Sequence, residues 1–562
     1  MKTNLLKSVL CLYALAGMLF SCKNEDVPEA DPEKPEIEIE FTSGSSGEYQ
    51  VKTGTNITLS VTVTHAINPV YSWKIDGKIV GVEPQFIFVA GKLGEYFVNF
   101  RVDAENGSAE KQVKISVFNK LPPQITLESA TIAFSGIDRV FVAEVSDAED
   151  AVYVWRLNGK LVSETATYTF NQTVLGDYSL SLKVTTDEGQ DMKTVAITVM
   201  PEPLPELYFD NGRYRVASNT AERRTMTVPS GKSLVLAPVI RNIDHPTTFV
   251  WTVDGVTQTA TGEYFTFSPA AQGTCLVTVT EQSTGATGEV EVTCTPPEGA
   301  FRRTNGVKKH ATNAFDYIPA PGRYIGSMTG MTIVSALKDL QEWCDAGADG
   351  MYMIGAFGGY YIVGFDHSVR NEPDKADLQI NGNPLGQNWC ESGIVWVMQD
   401  ENGNGLPDDT WYELKGSETG KPATKQRYAC TYYKPKDASS SVVTWTDNTG
   451  KSGAVTTGPY PRIITEDYYT LTGTCLASTV LEAGLSYSSC YDWGYVDGIN
   501  SSPIRPVTGH FWIEDAIQVD GSPASLQYVD FVKVHTAINA MTQNVGEIST
   551  EPKMPYDLNF VE

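Results

Sequence analysis

One loop of the chain carries oxygen-bearing side chains at a spacing that could hold a metal ion. Residues 400–409 read DENGNGLPDD and stand between two apolar runs. Counted as loop positions one, three, five and nine, the oxygen-bearing residues are Asp400, Asn402, Asn404 and Asp408. Gly405 at position six lets the backbone turn sharply, so that alternate side chains can point at one centre. Because carboxylate and amide oxygens suit Ca²⁺, the spacing predicts a structural calcium site.

The loop departs from the complete calcium pattern at position twelve. There Trp411 replaces the glutamate that normally binds the ion through both oxygens. Asp409 or Glu413 could complete the ligand set. The alternative is a hairpin turn rich in Asp, Asn and Gly that binds no metal, and both interpretations stand on the sequence alone.

Aromatic residues beside turn-forming residues offer a second kind of site. Flat, rigid rings next to loops suit large amphipathic ligands such as a sugar ring or a tetrapyrrole. The residues predicted to contact such a ligand are Tyr360, Tyr361, Trp389, Trp411, Tyr412, Trp493 and Tyr495. For each of them, packing in the core is the competing interpretation. Trp396 and Trp445 lie within alternating strands and are better core candidates.

Catalytic motifs are missing from the sequence. It contains no HExxH, no GxSxG and no Walker-type phosphate loop. The histidines of the C-terminal region, none at metal-binding distance in sequence from another, are His310, His367, His510 and His535. A carboxylate pair could act as in a glycosidase, but nothing singles out a pair. We therefore predict a protein that is not an enzyme and has no catalytic cofactor, with a cryptic glycosidase as the enzymatic alternative.

The elements that would position these residues begin with a repeat. Residues 70–81, 152–163 and 249–258 each place a Trp three residues before an Asp-Gly or Asn-Gly dipeptide. Those dipeptides tolerate the positive φ of a tight hairpin turn. Strands with period-two alternation follow, which is typical of a β-sandwich. The pattern predicts an all-β fold with three tandem immunoglobulin-like modules at residues 37–119, 120–200 and 201–296.

The region 306–562 differs in composition from the repeats. Seven of the ten Trp residues lie after residue 340. Residues 331–343 place Ile333, Leu337 and Leu340 on one helical face, and the rest reads as β runs. We predict a larger β-sandwich domain of jelly-roll type with one short helix, which holds the ligand site.

Cysteine placement suggests one pair. Cys275 and Cys294 stand at mirror positions about an STGATG turn, so a hairpin in simple register would bring them face to face. A disulfide and two reduced packing thiols are both open. The five cysteines after residue 300 are odd in number, so that at least one of them is unpaired.

The N-terminus reads as an export signal. Two lysines precede an apolar run over residues 8–20, and Ser21 and Cys22 follow it. This predicts a signal peptide over 1–21 and an acidic, extended tether over 22–36. The net charge of −26 makes nucleic acid and anionic membrane surfaces poor partners.

Cys22 at the end of the apolar run resembles a bacterial lipobox, and the acidic stretch after it resembles the surface-export signal of Bacteroidota lipoproteins. The resemblance implies lipidation at Cys22 and an outer-membrane location facing the cell exterior, with membrane contact through the lipid alone. An ordinary signal peptide cleaved nearby, leaving a free Cys22, is the alternative.

The Trp-containing turns and the Gly-Glu-Tyr or Gly-Asp-Tyr strand starts resemble PKD-like modules of bacterial surface proteins, which usually act as stalks. Residues 358–383, 391–418 and 528–551 are similar to runs in PKD-like surface lipoproteins of gut Bacteroidota. Some members bind corrinoids (cobalamin) and assist TonB-dependent transporters. The resemblance implies capture of a corrinoid by the C-terminal domain for such a transporter. Alternatives are a glycan-binding lipoprotein of a polysaccharide-uptake system and an adhesin or structural surface protein.

Overall fold

The computed structural model describes most of the chain and divides it into two compact units. The described residues are 38–41, 47–213, 224–244, 246, 248–297, 308–325, 332–347, 350–480, 488–542 and 546–561. The first unit takes the chain up to residue 49 together with 56–89 and 95–115, and the second takes 50–55, 90–94 and everything from 116 onwards. The predicted signal peptide, Cys22 and the tether lie outside the described residues.

Each predicted module is a β-sandwich built around the Trp of its repeat. Trp73, Trp155 and Trp251 are fully buried. Each indole N–H donates to a backbone carbonyl ten or eleven residues later, at Glu83, Thr165 and Gly262. The Asp-Gly and Asn-Gly dipeptides take positive φ at both positions, as tight hairpin turns require. The all-β prediction and the three predicted turns are confirmed.

The first module contains eight strands. They are β1 (Glu38–Phe41), β2 (Glu48–Lys52), β3 (Asn56–Thr64), β4 (Val70–Ile75), β5 (Lys78–Gly81), β6 (Gln85–Val89), β7 (Gly94–Ala104) and β8 (Gly107–Phe118). Strands β8, β7, β4 and β5 follow one another in one sheet, and β3 pairs with β1 and with β6 in the other. Trp73 stacks on Phe86 between these sheets, with ring centroids 5.6 Å apart.

The second and third modules repeat one sheet order. The second contains β9 (Gln124–Thr126), β10 (Ala130–Phe134), β11 (Arg139–Val142), β12 (Glu144–Ser146), β13 (Val152–Leu157), β14 (Lys160–Ser163), β15 (Thr167–Phe170), β16 (Gly176–Thr186) and β17 (Gly189–Met200). The third contains β18 (Glu206–Tyr208), β19 (Arg224–Pro229), β20 (Leu234–Leu236), β21 (Val239–Arg241), β22 (Phe249–Val253), β23 (Val256–Thr257), β24 (Phe265–Phe267), β25 (Gly273–Glu281) and β26 (Thr287–Thr295). The order β10-β17-β16-β13-β14 in the second corresponds strand for strand to β19-β26-β25-β22-β23 in the third.

The C-terminal domain is built from short strands and one helix. Its strands are β27 (Asn313–Ile318), β28 (Tyr360–Arg370), β29 (Leu378–Gln379), β30 (Gly393–Met398), β31 (Trp411–Leu414), β32 (Lys425–Tyr433), β33 (Val443–Asp447), β34 (Ser452–Val455), β35 (Tyr468–Cys475), β36 (His510–Phe511), β37 (Ala516–Ile517), β38 (Tyr528–Thr536), β39 (Met541–Thr542), β40 (Gly546–Glu547) and β41 (Tyr556–Asp557). A 3₁₀ turn covers Ile513–Asp515. The helix α1 (Ile333–Ala346) begins with a Thr332/Ser335 capping box and ends at Gly347 in a left-handed conformation.

Two antiparallel sheets enclose the core of this domain. One has the order β27-β28-β38-β30-β31-β37 and the other the order β34-β33-β32-β35. A single hydrophobic cluster joins them, with Val395 and Val532 from the first sheet and Tyr432 and Leu471 from the second. The described part of the chain holds no helix whose length and apolar character would let it cross a membrane.

The second and third modules both pack on the C-terminal domain. Thr131 of β10 hydrogen-bonds Ser452 of β34 at 2.8 Å. The third module makes many more bonds, including Val235 N to Gln518 Oε1 at 2.6 Å and Arg241 Nη2 to Thr431 Oγ1 at 2.9 Å. The second and third modules are therefore joined to the C-terminal domain by direct side-chain contacts.

The cysteine pairing differs from the disulfide considered for Cys275 and Cys294. Both of these thiols are free, because β25 and β26 pair Cys275 with Val292 and Gly273 with Cys294, two residues out of simple register. The structure instead bridges Cys390 and Cys490, whose Cα atoms are 5.1 Å apart across 100 residues of chain.

We expect removal of the Cys390–Cys490 bridge to destabilise the protein. A closed loop of this length restricts the unfolded chain, so the double variant Cys390→Ser/Cys490→Ser should lose about 3–5 kcal/mol in its free energy of unfolding. Urea unfolding of the mature chain measures this loss. Cys275→Ser, at a free and half-buried thiol, is the control and should change stability far less. An equal loss in both variants would contradict the assignment.

A cleft between the third module and the C-terminal domain

A cavity of about 90 Å³ lies where the third module meets the C-terminal domain. Strands β20 and β21 supply an apolar wall that includes Leu236 and Val239. Strands β31, β32 and β38 supply the opposite wall, whose functional groups are Trp411, Glu413, Arg427 and Lys533. An apolar wall facing a few converging polar groups is the usual composition of a small-molecule site.

Trp411 forms one side of this cleft at the start of β31. A Cβ atom on Gly212 would lie 2.4 Å from Trp411 Cδ1, so the absence of a side chain at Gly212 lets the ring pack against the backbone. Gly212 also has φ of +80°, a left-handed conformation that favours glycine. The indole Nε1 of Trp411 is buried and donates to no acceptor.

Lys533 lies at the base of the cleft and is almost completely buried. Its Nζ donates to the carbonyl of Gly212 at 2.6 Å and lies 4.5 Å from the centre of the Tyr360 ring. Burial lowers the pKa of Lys533, and the nearby carboxylates of Asp210 and Asp316 oppose that effect. This ammonium is thus held by residues of the third module as well as by its own domain.

Asp210 is the acidic partner that the third module contributes. Burial acts to raise its pKa, but the charge of Lys533 and hydrogen bonds from Thr472 Oγ1 and Gly212 N lower the pKa overall. Asp210 therefore stays ionised and balances the buried ammonium. The pair fixes the position of residues 210–212 and with them the surface on which Trp411 rests.

Arg427 connects the cleft to the third module through its guanidinium. Its Nη1 donates to Pro238 O at 2.7 Å, and its Nη2 bonds Glu263 and the Tyr264 hydroxyl. The remaining Nε–H is buried and has no acceptor. Together with Trp411 Nε1 it forms a set of two unmatched donors among the cleft residues.

Glu413 supplies the carboxyl group of the cleft. It accepts a hydrogen bond from Thr474 Oγ1 and is buried. Burial raises the pKa of Glu413 to about 7, and the bond from Thr474 opposes this rise. Near neutral pH the group can therefore either donate or accept a hydrogen bond towards a ligand.

The predicted aromatic set does not form one surface. Trp411 and Tyr412 line the cleft and Tyr360 lies beneath Lys533. Tyr361 and Tyr495 are buried core residues, whose hydroxyls bond Lys553 O and Glu418 N, which favours the competing interpretation of core packing for both. Trp389 and Trp493 are half-buried outside the cleft lining, near the Cys390–Cys490 bridge in sequence.

Lys533, Arg427 and Asp210 escaped the sequence analysis. Lys533 stands in the strand YVDFVKVHT, every residue of which is buried. A lysine within a strand that is buried throughout is a buried charge that needs a partner. Its partner Asp210 lies more than three hundred positions away, and no local pattern connects the two.

The predicted calcium loop is closed by hydrogen bonds of its own. Asp400 accepts bonds from the backbone N–H groups of Gly403 and Gly405. Asn402 and Asn404 both turn their amide NH₂ groups towards Asp408. These bonds form the hairpin-turn arrangement that is the alternative to a calcium site. Within the described ranges, no three His, Cys, Asp or Glu side chains converge as metal ligands would.

Asp409 and its neighbour Glu401 behave differently from the rest of the loop. Both are buried, and Glu401 N donates to Asp409 Oδ2 at 3.0 Å. Burial raises the pKa of Glu401 to about 7. Burial and the neighbouring Glu401 carboxylate raise the pKa of Asp409 to about 8.

The four histidines considered for chemistry do not form a catalytic group. His367 is buried between two carboxylates, with Nδ1 2.9 Å from Asp366 and Nε2 3.1 Å from Asp557. His535 is buried beneath Trp396, whose Nε1 donates to its Nδ1 at 2.9 Å. Both ring nitrogens of His367 are occupied, so this residue stabilises the strand packing rather than transferring protons.

We expect Lys533 to make a large contribution to the free energy of unfolding through the contact between the third module and the C-terminal domain. Lys533→Met removes the ammonium that donates to Gly212 O and whose charge lowers the pKa of Asp210, and we expect a loss of about 3–5 kcal/mol in the free energy of unfolding. Lys436→Met is the matched control, since Lys436 pairs with Asp177 on the surface and such pairs contribute about 0–1 kcal/mol. Urea unfolding compares the two, and equal losses would contradict the role given to Lys533.

His367 should make stability depend on pH. Burial acts to lower its pKa, but hydrogen bonds to Asp557 and Asp366 raise the pKa overall. A raised folded pKa means that the stabilisation is complete below the unfolded value of about 6.5 and is lost as pH rises through the folded value. The stability difference between the wild type and His367→Gln should therefore shrink with rising pH. His510→Gln is the control, because burial lowers the His510 pKa; a difference that grows with pH for His367 would refute the assignment.

Comparison with known proteins agrees with the architecture. Residues 35–104 and 122–186 match the model of a PKD-like domain. No curated protein matches the chain. Among solved structures, a chimeric titin Z1Z2 tandem is 18% identical, covers 29% of this chain and 100% of its own, and has a TM-score of 0.14.

Two further matches are also tandem immunoglobulin-type chains. The N-terminal four Ig domains of Dscam1 isoform 4.44 are 14% identical over 46% of this chain and 74% of that one, with a TM-score of 0.15. Extracellular domains 3–5 of Drosophila OTK are 12% identical over 47% and 99%, with a TM-score of 0.17. Scores this low support no conclusion about activity. The sheet order and the PKD-like match over residues 35–104 and 122–186 identify an all-β protein with tandem PKD-like, immunoglobulin-like modules.

Proposed function

We propose that this protein is a lipid-anchored surface protein that captures a nutrient ligand, a corrinoid in the first instance, and delivers it to a TonB-dependent outer-membrane transporter. It performs this role without catalysing a reaction. The observation that carries the proposal is the cleft between the third module and the C-terminal domain, where Trp411 Nε1 and Arg427 Nε are buried donors without acceptors.

The chemistry of the unmatched donors fits a ligand that carries acceptor groups. A buried donor without a partner costs about 1–3 kcal/mol, so a ligand carbonyl or hydroxyl that reaches it gains that much. Corrinoids carry amide side chains around the ring, and amide carbonyls are good acceptors. The cavity of about 90 Å³ admits one such side arm and leaves the ring at the cleft mouth.

Glycan capture is the second candidate, because the residues of the cleft wall also suit a sugar ring. Trp411 and Tyr412 supply aromatic surface, while Glu413, Gln426 and Arg427 supply hydrogen-bonding groups. Aromatic surface beside a few polar side chains is also the pattern that suits a sugar ring. An adhesin or structural surface protein is the remaining alternative, and it predicts that the cleft binds neither ligand.

Calorimetric titration of the full mature chain with cyanocobalamin and with a panel of oligosaccharides separates these candidates. We expect saturable binding of cyanocobalamin at micromolar concentration or below. Oligosaccharide binding without cyanocobalamin binding would establish the second candidate in place of the first. Binding of neither would leave the adhesin interpretation and would refute capture through this cleft.

Trp411→Phe tests the proposed site directly. The variant keeps an aromatic ring on Gly212 but removes the indole N–H, so ligand affinity should fall about tenfold, which corresponds to one lost hydrogen bond. Trp493→Phe is the control because Trp493 is not among the residues that line the cleft. If Trp493→Phe weakens binding and Trp411→Phe does not, the ligand binds elsewhere.

A further inference from the structure

A second set of polar atoms lies beside the cleft. It contains hydrogen-bond acceptors, whereas the unmatched atoms of the cleft are donors. Glu401 Oε2 and Asp409 Oδ1 are buried carboxylate oxygens that accept no hydrogen bond. Thr227 Oγ1, from β19 of the third module, is also buried, and the Thr227 side chain is directed at Glu401. Each of the three residues is at most 4% exposed.

Glu401 and Asp409 lie together on the domain side of the module contact, where Glu401 N donates to Asp409 Oδ2 at 3.0 Å, and Thr227 lies on the module side. Burial raises the pKa of Glu401, and a hydrogen bond from the Thr227 side chain opposes this rise. Burial and the Glu401 carboxylate raise the pKa of Asp409. The backbone holds the two sides in register through Thr410, whose hydroxyl donates to Thr227 O at 2.6 Å and accepts from Thr227 N at 2.9 Å.

Cations from the protein do not satisfy this pair. Lys232 is the positive side chain that acts on Glu401, and its Nζ donates to Ser525 O at 2.6 Å. Tyr412 and Tyr528 pack near the carboxylates but are neutral at physiological pH. Two buried carboxylates with open oxygens are costly unless a counter-charge is present.

We propose that Glu401, Asp409 and Thr227 bind a divalent cation that ties the third module to the C-terminal domain. The site offers oxygen donors only, which suits Ca²⁺ and not a metal that prefers nitrogen or sulfur ligands. Two carboxylates match the charge of the ion, and waters complete its coordination. The site differs from the sequence-predicted loop, whose Asn402, Asn404 and Asp408 bond one another.

The experiment titrates chelator-treated, full-length mature protein with CaCl₂ and follows binding by calorimetry and by Tb³⁺ luminescence excited through nearby Tyr412 and Tyr528. We expect one site and a rise in Tm on adding Ca²⁺, because an ion that binds only the folded state stabilises it. No heat, no luminescence and an unchanged Tm at millimolar Ca²⁺ would overturn the proposal and leave a carboxyl pair that shares a proton.

Matched variants locate the site. Asp409→Asn and Glu401→Gln should weaken Ca²⁺ binding by about tenfold or more, whereas Asp408→Asn, in the half-exposed part of the loop, should bind as the wild type does. Loss in Asp408→Asn with retention in Asp409→Asn would place the ion in the loop instead and overturn the proposal. Thr227→Val, which removes the hydroxyl at nearly constant volume, provides a further test should the acidic variants fail to fold. Trp411→Phe should leave Ca²⁺ affinity unchanged, which separates this site from ligand capture.

Discussion

The buried ammonium of Lys533 is the constraint on which the arrangement of the second unit depends. Removing a lysine charge from water costs several kcal/mol even after the protein relaxes. The C-terminal domain supplies Asp316 and the Tyr360 ring, but Asp210 and the Gly212 carbonyl, which also compensate Lys533, belong to the third module. The module and the domain are therefore parts of one structure. Separating them would expose both an apolar wall and an unbalanced buried charge.

The same contact shapes the cleft. Residues 210–212 can reach Lys533 only if the backbone turns at Gly212, which takes φ of +80°. The missing side chain at that position also makes room for the Trp411 ring. The Trp411 ring therefore packs on a backbone segment that Lys533 and Asp210 hold in place, although the ring itself bonds neither of them. Its N–H is left without an acceptor, whereas the Gly212 N–H donates to Asp210 and the Gly212 carbonyl accepts from Lys533.

Local patterns explain what could be predicted and what could not. The Trp and the turn dipeptides identify the modules because the turn, the strand alternation and the buried ring lie within about fifteen consecutive residues. The pairing of Cys275 and Cys294 failed because Glu281 accepts bonds from Ser283 and Thr284 and shifts the turn by one residue along the chain. A shift of that size moves facing partners by two positions. The Cys390–Cys490 bridge and the cleft join residues distant in sequence, so no local pattern marks them.

The aromatic prediction shows why residue type alone does not locate a site. Tyr361 and Trp411 both stand at the start of strands beside turns, yet Tyr361 faces the core and Trp411 faces another module. What distinguishes them is hydrogen-bond satisfaction, since the Tyr361 hydroxyl has an acceptor and the Trp411 N–H has none.

The carboxylate site at Asp409 and the cleft at Trp411 are adjacent along the chain, because Asp409 and Thr410 lead directly into β31. An ion held at Asp409 would fix the residue before Trp411 and so hold the cleft wall in its binding conformation. By linkage, a ligand that depends on that conformation would in turn strengthen binding of the ion.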